Sequence, residues 1–432
     1  MLIEFSVGNY KSFKENQIFS MLAANITAKD KELDENNLFP IGNSQRLLKS
    51  TAIYGANASG KSNLIQAFFF MRRFVLESAT KHPATEPIDV ESFRLNTETE
   101  KEPSYFEIVF FTEGKRYRYG FEADAHKVYA EWLYHVPNVR ESKLFEREEN
   151  DFSLSTVFKE GKGLTDKTRD NALFLSVVAQ FNGTISLTIL RWFQKLQIIS
   201  GLQDVPHLIN TIWKIEEGAL RDDILSFVKE MDVGISDLKI ERIEAESNFP
   251  TGMLQPLRSF LNAKDQIKVT TLHKKYNNEN IPVSLEAFDL NTHESEGTKK
   301  IFSLSGLLMD VLRSAKVLIV DELDARLHPL ITIEIIKLFN SKKTNPHNAQ
   351  LIFATHDTNL LSNELFRRDQ IWFVDKDKYG ATDLYSLAEY KVRNDASFEK
   401  NYLLGRYRAI PFIGGLDYLN DLIGEANGET KK

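Results

Sequence analysis

The stretch Gly55-Ala56-Asn57-Ala58-Ser59-Gly60-Lys61-Ser62 decides how the rest of the chain is read. It has the pattern G-x-x-x-x-G-K-[ST]. Before it stands the short apolar run Ala52-Ile53-Tyr54, and after it Leu64, Ile65, Phe68, Met71 and Val75 are spaced for one buried helical face. Strand, glycine-rich turn and helix form the context in which this pattern cradles phosphate. The glycines let the backbone curl until successive N–H groups point at phosphate oxygens, and the helix N-terminus adds partial positive charge. On that reading Gly55, Asn57, Ser59, Gly60, Lys61, Ser62 and Asn63 hold a nucleotide. Lys61 reaches the β- and γ-phosphates and Ser62 ligates Mg2+. A chance glycine-rich turn before a helix is the alternative, which the complete motif in this context disfavours.

The next signal is Val317-Leu318-Ile319-Val320, an apolar run that ends in Asp321-Glu322. Asp321 is placed to hold Mg2+ through water, the Walker B role, and Glu322 to polarise the attacking water. Alone the pattern is weak, because many buried strands end in an acidic turn. Asp321 follows Lys61 by 260 residues, too far for a compact P-loop GTPase or kinase. Such a gap suits an ATPase of the ABC class whose nucleotide core is split by an insertion, and further motifs should then flank the Asp-Glu pair. Glu294-Ser295-Glu296-Gly297-Thr298 precedes a helix 26 residues before Asp321. It has the form of a variant ABC signature, whose Ser295 and Gly297 would meet the γ-phosphate held by an opposite subunit. An ordinary N-cap is the plainer reading. Leu323-Asp324 stands where a D-loop belongs. His356 follows Asp321 by 35 residues, just after the strand-like Leu351–Ala354, and stands where a switch histidine belongs. A satisfied turn residue is its plainer reading. Together these residues describe two subunits sandwiching two ATP molecules, with Glu322 and His356 as the catalytic pair.

The chain as a whole reads as α/β: an ABC-type P-loop ATPase head, with a mixed sheet and an antiparallel β meander, split by a mostly α-helical insertion. The first half of the head covers residues 1–135. It opens on a strand with Ile3, Phe5 and Val7, and its meander runs through Tyr105–Phe111, Tyr117–Phe121 and Val128–Val136, with Glu113-Gly114 as a turn. The insertion covers residues 136–285 and is helical above all from Ile185 to Leu238, interrupted at Gly201, Pro206 and Gly234. The second half covers residues 286–432, with a helix from Thr298 to Ser314, another from Pro329, a strand at Ile371–Val374 and a frayed end at Gly424–Lys432. The chain has no cysteine, which excludes a disulfide framework, a thiolate metal site and a Cys nucleophile. Its net charge of −7 excludes a globally basic nucleic-acid coat, so DNA contact would need a local patch such as Arg72, Arg73, Lys115, Arg116 and Arg118. The same residues are more simply a solvated face. No apolar run reaches membrane-spanning length and the first residues lack signal-peptide character, so no membrane partner and a cytoplasmic location are expected.

Asn9-Tyr10-Lys11-Ser12-Phe13, together with Gly55–Asn63, resembles the RecF/SMC branch of ABC ATPases. Asp321–Pro329, Arg367–Val374 and Tyr402-Leu403-Leu404-Gly405-Arg406-Tyr407-Arg408-Ala409-Ile410-Pro411 resemble the RloA/AbiL-type ATPases, OLD-like ABC-type proteins of prokaryotic defence loci. The resemblance covers nearly the whole chain and is weakest in the middle. It implies ATP and Mg2+ as ligands, a homodimer or higher homo-oligomer, and a regulator of a separately encoded, nuclease-like effector in anti-phage defence. DNA or a phage-derived molecule would be the trigger. It also implies that Lys11 contacts nucleotide phosphate, against the plainer reading of a solvated lysine. A RecF-like repair or recombination ATPase that clamps DNA is the alternative. Phe93-Arg94-Leu95-Asn96 stands roughly where a Q-loop belongs but holds no glutamine. Asp375-Lys376-Asp377 has the look of a TOPRIM metal pair, but a hairpin turn explains it more simply, so no nuclease is expected within this chain.

Overall fold

The protein's structure, a computed structural model, describes residues 1–42, 45–81, 83–137, 140–231, 233–242, 267–393 and 395–411. The end expected at Gly424–Lys432 lies outside the described residues. In chain order the strands are β1 Leu2–Gly8, β2 Gln17–Ser20, β3 Leu38–Ile41, β4 Gln45–Leu48, β5 Ser50–Tyr54, β6 Ser104–Thr112, β7 Lys115–Ala123, β8 Val128–Val136 and β9 Ser142–Glu148. They continue as β10 Asp151–Leu154, β11 Leu196–Ser200, β12 Ile235–Arg242, β13 Ile267–Tyr276, β14 Pro282–Asp289, β15 Val317–Asp321, β16 Gln350–Ala354, β17 Ile371–Lys376 and β18 Thr382–Ser386.

Two large sheets carry the architecture. One is antiparallel throughout, in the order β10-β9-β8-β7-β6-β1-β2. Its alternation is plain in β6, where Phe106, Ile108 and Phe110 are buried and the residues between them are not. Glu113 and Gly114 both have positive φ and close the two-residue β6–β7 hairpin. The other sheet runs β11-β15-β16-β5-β17-β18. Its first five strands are parallel and β18 is antiparallel to β17. Parallel strands covered on both faces need unbroken apolar runs, and β5 and β16 are buried at every residue. The helix Lys61–Glu77 lies in the core between the sheets. Its Phe68 stacks on Phe5 of β1 at 3.8 Å between ring centroids, and its Leu64, Met71 and Val75 are buried beside it. The α/β head with a mixed sheet and a meander is thus as expected.

Among the described residues, the segment 136–285 mixes strands with the expected helices. It supplies β9 and β10 to the meander, β11 to the parallel sheet, and β12 and β13, which with β14 form a separate three-stranded sheet. Helices do occur at Phe174–Gln180, Thr184–Gln194, Val205–Glu216 and Arg221–Glu230. The helical spacing of Ile189 and Phe193 runs on through Leu196, which disguised the boundary. Leu196-Gln197-Ile198-Ile199-Ser200 is in fact a short edge strand pairing with β15 from Leu196↔Val317 to Ser200↔Asp321. Pro206 falls in the first turn of the helix Val205–Glu216, where its missing N–H breaks no bond.

Candidate functional site

The parallel strands bring their C-terminal ends to one edge, where open α/β sheets place ligands. β5 ends there in the loop 55–60, β15 in Asp321-Glu322, β16 two residues before His356, and β11 in Ser200-Gly201.

The loop 55–60 is clamped from outside. Gly60 has φ +120°, and a Cβ there would lie 2.5 Å from the Thr382 hydroxyl. A Cβ on Gly55 would lie 2.3 Å from the Val374 carbonyl. Both positions therefore need glycine for space as well as for shape. Thr382, on β18, donates from its backbone to the Ser12 carbonyl at 2.7 Å. Its hydroxyl lies 2.8 Å from the Ser12 hydroxyl and 2.9 Å from the Ser59 carbonyl. Asn63 donates to the Ser12 hydroxyl at 2.7 Å. The N-terminal loop, the P-loop and β18 are thereby tied at one point. Gly60, as N-cap, gives the helix Lys61–Glu77 no side-chain acceptor, so the donors of its first turn are left for a ligand. Ser62 is exposed at this turn. Lys11, held at positive φ, donates to Gln66 at 2.5 Å and lines a cleft of about 300 Å³ with Asn63, Arg94 and Lys376.

Across the loop, Lys61 donates to the carbonyls of Gly55 at 2.7 Å and Ala56 at 3.0 Å. Burial lowers its ammonium to about 8, against the opposing pull of Asp321, Glu322 and Asp324. Asp321 Oδ1, Asp324 Oδ1 and Ser59 Oγ are buried without a hydrogen-bond partner among the described residues. Buried polar atoms are nearly always paired, so this set fits a metal-bound phosphate at the site. No cluster of three or more His, Cys, Asp or Glu side chains capable of holding a metal occurs among the described residues. Glu322 sits at positive φ, turned out of the strand line. Desolvation and the Lys61 ammonium push the His356 imidazole below its ordinary range. His356 shares a cleft of about 390 Å³ with Gly55, Ala56 and Asn57, walled on the far side by Tyr402, Leu403, Ile410 and Pro411.

Ser295 and Gly297 line neither cleft. Ser295 is the N-cap of the helix Glu296–Arg313 and its hydroxyl accepts from the Thr298 N–H at 3.1 Å. A Cβ on Gly297 would meet only ordinary contacts. Within one chain, then, the structure gathers Gly55, Asn57 and His356 in one cleft and Lys11 and Asn63 in another, and leaves the Ser295–Gly297 turn apart.

One residue escaped the sequence reading. Ser200 is in register with Asp321, and Gly201 after it donates its N–H to the Asp321 carbonyl at 2.6 Å. The signal was an apolar run followed by glycine, hidden by reading the run as helix. The basic patch looks different in three dimensions. Arg73 pairs with Asp89, Arg118 with Glu107 and Glu141, and Arg72 donates to the Phe193 carbonyl. Asp377 accepts from the Tyr379 and Ala381 N–H groups in the β17–β18 hairpin turn, and Asp375 pairs with Arg408 at 3.1 Å. No helix among the described residues is long and apolar enough to cross a membrane.

Residues 50–190 and 198–362 match the family described as "AAA domain, putative AbiEii toxin, Type IV TA system". No curated protein matches the chain. Among solved structures, the SMC head domain from Thermotoga maritima is similar over 89% of this chain and 98% of its own, at 13% identity and a TM-score of 0.41. The Smc head domain with an extended coiled coil from Pyrococcus furiosus, bound to the C-terminal domain of ScpA, is similar over 94% of this chain and 99% of its own, at 12% identity and a TM-score of 0.37.

Proposed function

The chain belongs to that AAA-domain family, and from this premise we propose that it hydrolyses ATP with Mg2+ in a head-to-tail dimer. Lys61 and the N–H groups of the loop 55–60 bind the β- and γ-phosphates, and Lys11 binds phosphate from the N-terminal side. Ser62 and Asp321 would hold Mg2+, which would supply neutralising charge to the phosphates. Glu322 orients and polarises the attacking water. His356 donates to the charge that develops on the transferring group. The Ser295–Gly297 turn comes from the opposing copy and closes the site over the γ-phosphate, while Asp324 acts on Lys61 and His356 of its own chain. ATP then favours the closed dimer, and hydrolysis releases it. Residues 1–135 and 286–432 act as two halves of one head.

The observation that carries this reading is the convergence on one sheet edge of an uncapped helix N-terminus, a lysine and partnerless carboxylates. The wider role is regulation of a separately encoded, nuclease-like effector in the cytoplasm during anti-phage defence, with DNA or a phage-derived molecule as trigger. A RecF-like clamp on DNA draws less support, because Arg73 and Arg118 are already paired with carboxylates.

Ser295→Arg tests the cross-subunit part. The variant is expected to bind ATP as a monomer with unchanged affinity, while dimerisation and turnover are lost. Wild-type turnover in this variant would remove the signature role.

A further inference from the structure

Asp204, Lys300 and Arg326 form a charged cluster that no role above uses. Asp204 occupies the N-cap position of the helix Val205–Glu216, yet its side chain caps nothing. One oxygen accepts from Lys300 Nζ at 2.6 Å and the other from Arg326 Nη1 at 2.7 Å. Lys300 lies on the helix Glu296–Arg313 and is fully buried. Its ammonium also donates to the Gly201 carbonyl. A buried ammonium must be paired, so this helix cannot shift against the turn 201–204 without leaving a charge stranded.

The same turn grips the carboxylate strand from its other side. The Gly201 N–H donates to the Asp321 carbonyl at 2.6 Å. A Cβ on Gly201 would lie 1.9 Å from the Glu322 carbonyl, so only glycine permits this approach. Arg326 completes the circuit. It follows Asp324 on the loop after β15, reaches toward Glu296 at 3.9 Å, and its carbonyl lies 3.5 Å from where a Gly297 Cβ would stand. A second fastening makes the two helices one body. The Thr211 hydroxyl donates to the Ser303 carbonyl at 2.7 Å and accepts from the Gly306 N–H at 3.1 Å.

We infer that Asp204, Lys300 and Arg326 are positioning residues that fix the Ser295–Gly297 turn relative to the Asp321-Glu322 carboxylates of the same chain. Because that turn serves the nucleotide of the opposing copy, the cluster conveys the state of one nucleotide site to the other. The inference rests on the proposed head-to-tail dimer.

The test uses mixed dimers purified with two different tags. A Lys61→Ala chain paired with a Ser295→Arg chain regains one composite site, made of the P-loop of the second chain and the Ser295 turn of the first. Asp204→Asn is then added to either chain. Placed in the Lys61→Ala chain, it should remove the regained turnover by about tenfold or more, and Asp204→Glu there should restore part of it. Placed in the Ser295→Arg chain, it should leave that turnover intact and ATP binding unchanged. Equal loss in both placements, or loss only in the second, overturns the inference. If the Lys61→Ala and Ser295→Arg chains do not complement each other at all, the dimer reading itself fails and the inference with it. Thermal melts and nucleotide binding by each chain separate misfolding from loss of coupling.

Discussion

Lys61 Nζ donates to the Gly55 carbonyl at 2.7 Å, so the lysine closes on the loop that it ends. The ammonium is kept in place by the loop's own carbonyls in a site that burial has made unfavourable for charge. A phosphate bound there would replace those carbonyls with a stronger, ionised acceptor.

ATP affinity should therefore depend on alkaline pH. Burial lowers the Lys61 pKa to about 8, and only the protonated form pairs with phosphate. Affinity is full below that pH and falls as pH rises through it, by up to roughly tenfold per pH unit. Titration calorimetry in buffers of different ionisation enthalpy should find proton uptake on binding near about pH 9 and little near about pH 7. Proton-independent binding across that range would contradict the placement of Lys61.

Gly60→Ala should damage the site through geometry rather than chemistry. Its φ of +120° is strained for any L side chain, and the new Cβ would press on Thr382 and Ser12. A strained backbone position costs about 1–3 kcal/mol, and the loop cannot relax without loosening the Ser12–Thr382–Ser59 tie. Nucleotide binding should fall by at least about tenfold with the fold retained, as read by circular dichroism beside a fluorescent-nucleotide titration. Wild-type affinity would mean that the clamp from β18 does not shape the loop.

The meander has its own weak point. Glu131 is fully buried and accepts from Tyr119 at 2.9 Å and from the N–H groups of Phe174 and Leu175 at 2.6 and 2.9 Å, at the start of the helix Phe174–Gln180. Arg147, also buried, lies 3.7 Å away and binds the Ala172 carbonyl. Arg147→Met leaves Glu131 as a buried charge without its cation, so a loss of about 3–5 kcal/mol in urea unfolding is expected. A loss below about 1 kcal/mol would show that the helix N-terminus and Tyr119 alone sustain the carboxylate.

The legible parts were those where a motif fixes the backbone. Gly55–Ser62 between an apolar run and a helical stripe could form little else, and the buried run into Asp321 and the strand before His356 announced the parallel sheet. The meander was legible from alternation, as in Phe106, Ile108 and Phe110. What stayed hidden was set by partners distant in sequence. Leu196–Ser200 looks like the last turn of an amphipathic helix until β15 is beside it. Nothing local to Asp204 or Lys300 shows that they pair across 96 residues. Thr382 looks like any strand threonine until Ser12 and Gly60 are packed against it.

In the proposed mechanism Glu322 drives hydrolysis inside an ATP-bridged dimer. Glu322→Gln keeps size and hydrogen bonding but removes the base, which typically lowers turnover by about 10²–10⁴-fold. The most direct measurement is the mass and nucleotide content of this variant with Mg2+ and ATP, by light scattering after gel filtration. A stable dimer carrying two unhydrolysed ATP molecules is expected, returning to monomer when ATP is replaced by ADP. A monomer that binds ATP, or a variant that still turns ATP over at the wild-type rate, would contradict it.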